Sequence, residues 1–206
     1  MALDVARRVA IIDVAVVGGM SLVYVALEAL DVPKRWSFVA VGVALGIYAI
    51  FLVRRRTHSL HAMGFRTDNL VAGLIPVGIW TLVAGTGLVT WAVLRGRAVW
   101  GQEVLVLLAL YPAWAVVQQL GFQGLLHRGL MVLVPSPALQ VLGAAGAFAC
   151  VHVGNAPLLA LTFITGLIWS VLYRRWPNLW LLAGSHTVLA ALAYPLVLGD
   201  VPLSRL

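Results

Sequence analysis

Long apolar stretches alternate with short charged breaks along the whole chain. Apolar runs fall at roughly 9–30, 36–53, 69–94, 102–126, 138–153, 156–173 and 178–198, divided by segments such as Asp31-Val-Pro-Lys-Arg35 and Arg95-Gly-Arg97. About 20 apolar residues at 1.5 Å rise each cross a ~30 Å hydrocarbon layer as a helix. The pattern therefore predicts an all-α, polytopic transmembrane bundle of about seven (six to eight) helices. It reads as one domain over 1–206, with N-terminal helices over 1–99 and a core over 100–198. Pro76 and Pro112 lie inside runs, where they free backbone carbonyls. Gly42 with Gly46, and Gly143 with Gly146, mark expected close helix approaches.

Composition turns this pattern into a statement about solvent. Hydrophobic residues make up 62% of the chain and charged ones 10%, with a mean hydropathy of +1.00. A water-soluble core of this size cannot hide so much apolar surface, so lipid is the expected surround. The net charge of +7 comes from bases clustered between the runs. That placement points to topology signals and membrane lipids as partners, and away from nucleic acid. With the N-terminus inside, Arg7, Arg8, Arg54, Arg55, Arg56, Arg66, Arg128, Arg174 and Arg175 share the cytoplasmic side, against Lys34, Arg35, Arg95, Arg97 and Arg205. The expectation is a plasma or inner membrane protein with a cytoplasmic N-terminus. The first run follows Arg7 and Arg8 as a signal peptide would, yet it carries Asp13 and further runs follow, so it reads as an uncleaved helix. The single cysteine, Cys150, excludes an internal disulfide and a cysteine-rich zinc cage.

Polar side chains in mid-run are costly in hydrocarbon and mark candidates for function. They are Gln118, Gln119 and Gln123 in the fourth run, His152 closing the fifth and His186 in the seventh. Gln119 and Gln123 stand four residues apart on one helical face and Gln118 is about 100° away, which predicts one broad polar stripe. Counted from run ends near 126 and 178, Gln118 and His186 each lie about 12 Å deep, and His152, counted from 138, about 21 Å.

Order and spacing of these pieces resemble the CPBP family, the CAAX-protease and bacteriocin-processing intramembrane endopeptidases that include Rce1-type enzymes. The matching pieces are Gln118-Gln119-Leu-Gly-Phe-Gln123-Gly-Leu-Leu, Phe148-Ala-Cys-Val-His152 and His186-Thr-Val-Leu-Ala190. Phe163 to Tyr173, Trp176-Pro-Asn-Leu-Trp180 and, upstream, Met63-Gly-Phe-Arg66 are similar to the family's intervening helix, turn and leading loop. The resemblance implies that a first glutamate with the first histidine activates water for peptide-bond attack. A second glutamate and an arginine support them, and the last His and Asn stabilise the oxyanion.

This chain departs from the family at the reacting groups. Gln118 and Gln119 stand for both glutamates, Gln123 for the arginine and Ala190 for the asparagine, while His152 and His186 remain. A carboxamide orients water but accepts no proton near neutral pH. Loss of a positioned base forfeits about 10²–10⁴ in rate, and loss of an oxyanion donor about 10²–10³. Of the carboxylates Asp4, Asp13, Glu28, Asp31, Asp68, Glu103 and Asp200, none is placed by sequence to reach the site, and Asp13 is the one left open. Two histidines with neutral amides are a poor divalent-metal site, so neither metal nor cofactor is expected. The leading reading is a scaffold that has lost proteolysis and binds a membrane-anchored peptide, a lipid or a partner helix. The alternatives are an active endopeptidase with His152 as base, and a bis-histidine haem or small-molecule carrier using His152 and His186.

Overall fold

The computed structural model describes residues 2–97 and 101–199; Asp200 and Arg205 lie outside them. The chain runs through α1 (Ala2–Ala29), α2 (Lys34–Arg54), the short α3 (Leu60–Met63), α4 (Leu70–Leu94), α5 (Gln102–Leu133), α6 (Pro137–Cys150), α7 (Ala156–Arg175) and α8 (Leu179–Leu198). Within α5 the segment Leu120–His127 is wound as a π-helix, and Tyr194–Leu198 ends α8 the same way. α5 packs most broadly on α8, α6 on α7, and α4 on α8, while α1 lies along the Leu133 end of α5. At Gly129 an added Cβ would stand 2.8 Å from Val14 and 3.0 Å from the Ala10 carbonyl. Glycine is what lets α1 approach there.

Six helices, all but α3 and α6, are long and apolar enough to cross a membrane. Their outward faces carry large apolar side chains such as Val71, Leu82, Leu94 and Leu105. The chain is an integral membrane protein. Two expected spans have different bounds. The fifth run stops at Cys150, about 21 Å of helix and short of the hydrocarbon thickness. Gly154 turns the chain at φ 100 and Asn155 caps α7 by accepting from the Leu158 amide at 3.0 Å. The fourth run instead continues through His127 and Arg128 to Leu133. Measured from that end, Gln118 lies about 22 Å deep, level with His152. Of the paired glycines, Gly42 and Gly143 meet side chains, whereas Gly46 and Gly146 face open space.

The loop before α4 is fastened to the α7–α8 turn. The Leu179 amide donates to the Gly64 carbonyl at 2.8 Å, where Gly64 takes φ 103. The Tyr173 hydroxyl donates to the Met63 carbonyl at 2.9 Å, and the Asn178 amide to the Arg66 carbonyl at 2.9 Å. Outside the membrane-spanning segments, the Arg66 guanidinium hydrogen-bonds Asp68 and holds its carboxyl down to about 2. Two sequence pieces far apart in the chain, Met63–Arg66 and Trp176–Trp180, thus form one joint.

A second joint holds the N-terminal helices. Buried Asp13 accepts from the Tyr48 hydroxyl and from His58 Nε2, each at 2.7 Å. Arg128 donates to His58 Nδ1 at 2.8 Å. A guanidinium can only donate, so Nδ1 carries the lone pair and Nε2 the proton given to Asp13. Removing one partner of a buried charged set leaves the rest uncompensated and costs about 3 kcal/mol or more. Asp13→Asn should lower unfolding stability by about 3 kcal/mol, and Tyr48→Phe by about 1 kcal/mol, in denaturant titration of the purified protein. Equal, near-zero effects would show that this joint does not hold α1 and α2 to the core.

Candidate functional site

The three glutamines of α5 do not share one set of partners. Gln119 Nε2 lies 3.5 Å from His186 Nδ1, and the Tyr111 hydroxyl lies 3.4 Å from Gln118 Oε1 and 3.5 Å from His186 Nε2. Gln123 faces elsewhere: its Nε2 donates to Ser170 Oγ at 3.0 Å and its Oε1 accepts from His127 Nδ1 at 2.8 Å. The expected single polar stripe is therefore not formed. The π-helical segment beginning at Leu120 lies between the two residues. All three amides are buried.

Around His186 the donors form a consistent series. The Gln119 amide gives a proton to Nδ1, so Nε2–H points to the Tyr111 oxygen and the Tyr111 hydroxyl to Gln118 Oε1. Both ring nitrogens of His186 lie 3.5 Å from a polar side-chain atom. His152 is set differently. Its Nδ1 donates to the Phe148 carbonyl at 3.1 Å, so its basic nitrogen is Nε2. Phe148 stands edge-on to both imidazoles, with ring centroids 5.5 Å from His152 and 5.6 Å from His186. Ser185 is a structural hydroxyl, 2.7 Å from Thr81 Oγ1 and accepting from Trp169 Nε1.

Two openings meet at His152. A cavity of about 720 Å³ runs between α1, α2 and α5, with Gln118, His152, Tyr24 and Glu28 on its walls. An apolar groove of about 410 Å³ lies against α4, α7 and α8 and is lined by His152, His186, Tyr111, Trp169 and Ala190. Gln119 and Gln123 line neither. Asp13, the carboxylate left open by sequence position, is held by Tyr48 and His58 and reaches neither opening. The carboxylates on the larger cavity are Glu28, which accepts from the Tyr24 hydroxyl at 2.9 Å, and Asp31.

One buried imidazole escaped the sequence reading. His127 is 0% exposed, and among the described residues its Nε2 has no partner. It lies one helical turn beyond Gln123. That spacing was visible, but His127-Arg128 resembled the charged end of a span. No group of three or more His, Cys, Asp or Glu side chains able to hold a metal occurs among the described residues.

Residues 100–192 match the family model for the type II CAAX prenyl endopeptidase, Rce1-like. Over that stretch the chain is similar to the family. The match spans α5 to most of α8 and contains Gln118, Gln119, Gln123, His152 and His186. No curated protein and no solved structure matches the chain.

In this Rce1-like domain a charge at position 123 would enter a site whose present partners are an amide-bound histidine and a hydroxyl. Gln123→Arg alone should destabilise the protein by about 3 kcal/mol. Adding Gln119→Glu should recover part of that loss if the two positions face each other closely enough to pair. The present geometry, with Gln119 toward His186 and Gln123 toward Ser170, predicts recovery of less than about 1 kcal/mol in a double-mutant cycle. A larger coupling would mean that the two positions share one pocket after all.

Proposed function

We propose that this Rce1-like membrane protein binds a membrane-anchored peptide at the paired openings without hydrolysing it by the family's glutamate route, as a binding or regulatory pseudoprotease. The observation that carries this reading is that amides, Gln118 and Gln119, are the α5 side chains turned toward Tyr111 and His186. They are neutral at any pH a cell offers and supply no base. The apolar groove suits a lipid anchor and the larger cavity suits the peptide attached to it, with His152 where they meet. In this reading the basic ends at Arg7, Arg8, Arg54 to Arg56, Arg174 and Arg175 face the cytoplasm of a plasma or inner membrane.

A second reading, a working endopeptidase, has one observation in its favour: Glu28 and His152 line the same cavity as Gln118. A carboxylate from α1 would then stand in for the missing one, with His152 Nε2 accepting the proton of the attacking water.

Purified full-length protein incubated with prenylated and unprenylated C-terminal peptides separates the two by mass spectrometry of the products. The expected result is photo-crosslinking of the prenylated peptide with no cleavage. Cleavage by the parent that His152→Ala and Glu28→Gln each reduce by about 10² or more would establish the second reading and end the first.

A further inference from the structure

The apolar groove has a charged rim that neither reading uses. At its far end stand Trp91, from the last turn of α4, and Val197, from the end of α8. The Arg95 and Arg97 guanidiniums lie over the Trp91 ring, at 5.7 Å and 5.0 Å from its centroid. Arg97 Nη1 also donates to the Leu196 and Val197 carbonyls, at 2.8 Å and 3.0 Å, which pins it across the end of α8. Both arginines are exposed, and among the described residues neither has an acidic partner. Among the described residues no carboxylate lines the groove. Its wall is open at Gly87, where an added Cβ would meet nothing within 4 Å.

A long apolar slot that ends under two cations, one of them pinned across α8, has the shape and charge to take a lipid with a negative headgroup. The slot replaces bilayer contacts for a chain, and cations held over an interfacial tryptophan sit where headgroups lie. We propose that the groove between α4, α7 and α8 holds an acyl chain of an anionic phospholipid whose phosphate rests on Arg95 and Arg97. A zwitterionic lipid offers the same chain and phosphate, but its choline or ammonium brings a positive charge to the same rim. Selection among lipids therefore comes from the arginines and occupancy from the groove. The acyl chain and the lipid anchor of a bound peptide would compete for this one groove, so the test below uses protein without peptide.

The test uses delipidated full-length protein in detergent, incubated with equimolar phosphatidylglycerol and phosphatidylcholine, repurified and analysed by mass spectrometry for retained lipid. The parent should retain phosphatidylglycerol preferentially. Arg95→Gln and Arg97→Gln should each lower the phosphatidylglycerol-to-phosphatidylcholine ratio about fivefold, the effect of one interfacial cation. Gly87→Leu, whose side chain enters open space, should lower both lipids together. Arg97→Gln removes two hydrogen bonds to α8, whereas Arg95 shows none among the described residues, so Arg95→Gln with a parent-like melting temperature carries the charge test. Equal retention of the two lipids by the parent would overturn the proposal. So would preference that survives Arg95→Gln, which would place the headgroup elsewhere, or retention unaffected by Gly87→Leu, which would indicate a headgroup contact without a chain in the groove.

Discussion

Inside hydrocarbon a buried amide or imidazole has no water to fall back on, and the core of this bundle is arranged around that constraint. Gln119 is tied to His186, Gln118 to Tyr111, and Gln123 to Ser170 and His127, so α5 is joined by polar contacts to α8 and to α7. Apolar packing alone would leave these helices free to slide, because lipid tails compete equally well for leucine surface. The amides fix rotation and depth. The π-helical segment lies between Gln119, which meets α8, and Gln123, which meets α7.

Charge has been moved out of this core to two places that can carry it. One is the Asp13–His58–Arg128 series, where each charged end is bonded through an imidazole and Tyr48 satisfies the remaining carboxylate oxygen. The histidine cannot serve there as the base of a nucleophile, because a guanidinium occupies its lone pair. The other place is the rim, where Arg95 and Arg97 lie over Trp91. Between them the openings at His152 are lined by aromatic, aliphatic, amide and hydroxyl groups, apart from Glu28 and Asp31 on the wall contributed by α1 and the α1–α2 turn. An arginine at position 123 with no carboxylates beside it would be an uncompensated charge in low dielectric, a cost that Gln123 avoids.

Much of the architecture was legible because hydropathy reports solvent directly. Helix existence and order followed from the apolar runs. The errors lie where tertiary contacts override local signals. His127-Arg128 looked like the end of a span, yet Arg128 is taken up by His58 and the helix continues to Leu133. The fifth run looked long enough to cross, but Gly154 and Asn155 turn the chain first. Gln119 and Gln123 looked like neighbours because the spacing argument assumes an α-helix, and nothing in Leu120–His127 announces π-helical winding except its glycines. The meeting of Gln118, Gln119 and His186 was readable from the family-like spacing. Tyr111, seven residues before Gln118, was not singled out, although two helical turns place it on nearly the same face.

The match to the Rce1-like family covers residues 100–192, while both openings depend on helices outside it. Tyr24 and Glu28 of α1 wall the larger cavity, and Trp80, Gly87 and Trp91 of α4 wall the groove. The matched helices set the positions of His152 and His186, and α1 and α4 set what can reach them. A change in the N-terminal helices can therefore alter ligand class without touching any motif position. The polar joints that tie α5 to α8 and α7 run through Gln119 to His186 and through Gln123 to Ser170, and they leave Gln119 Oε1 and His127 Nε2 without a partner among the described residues.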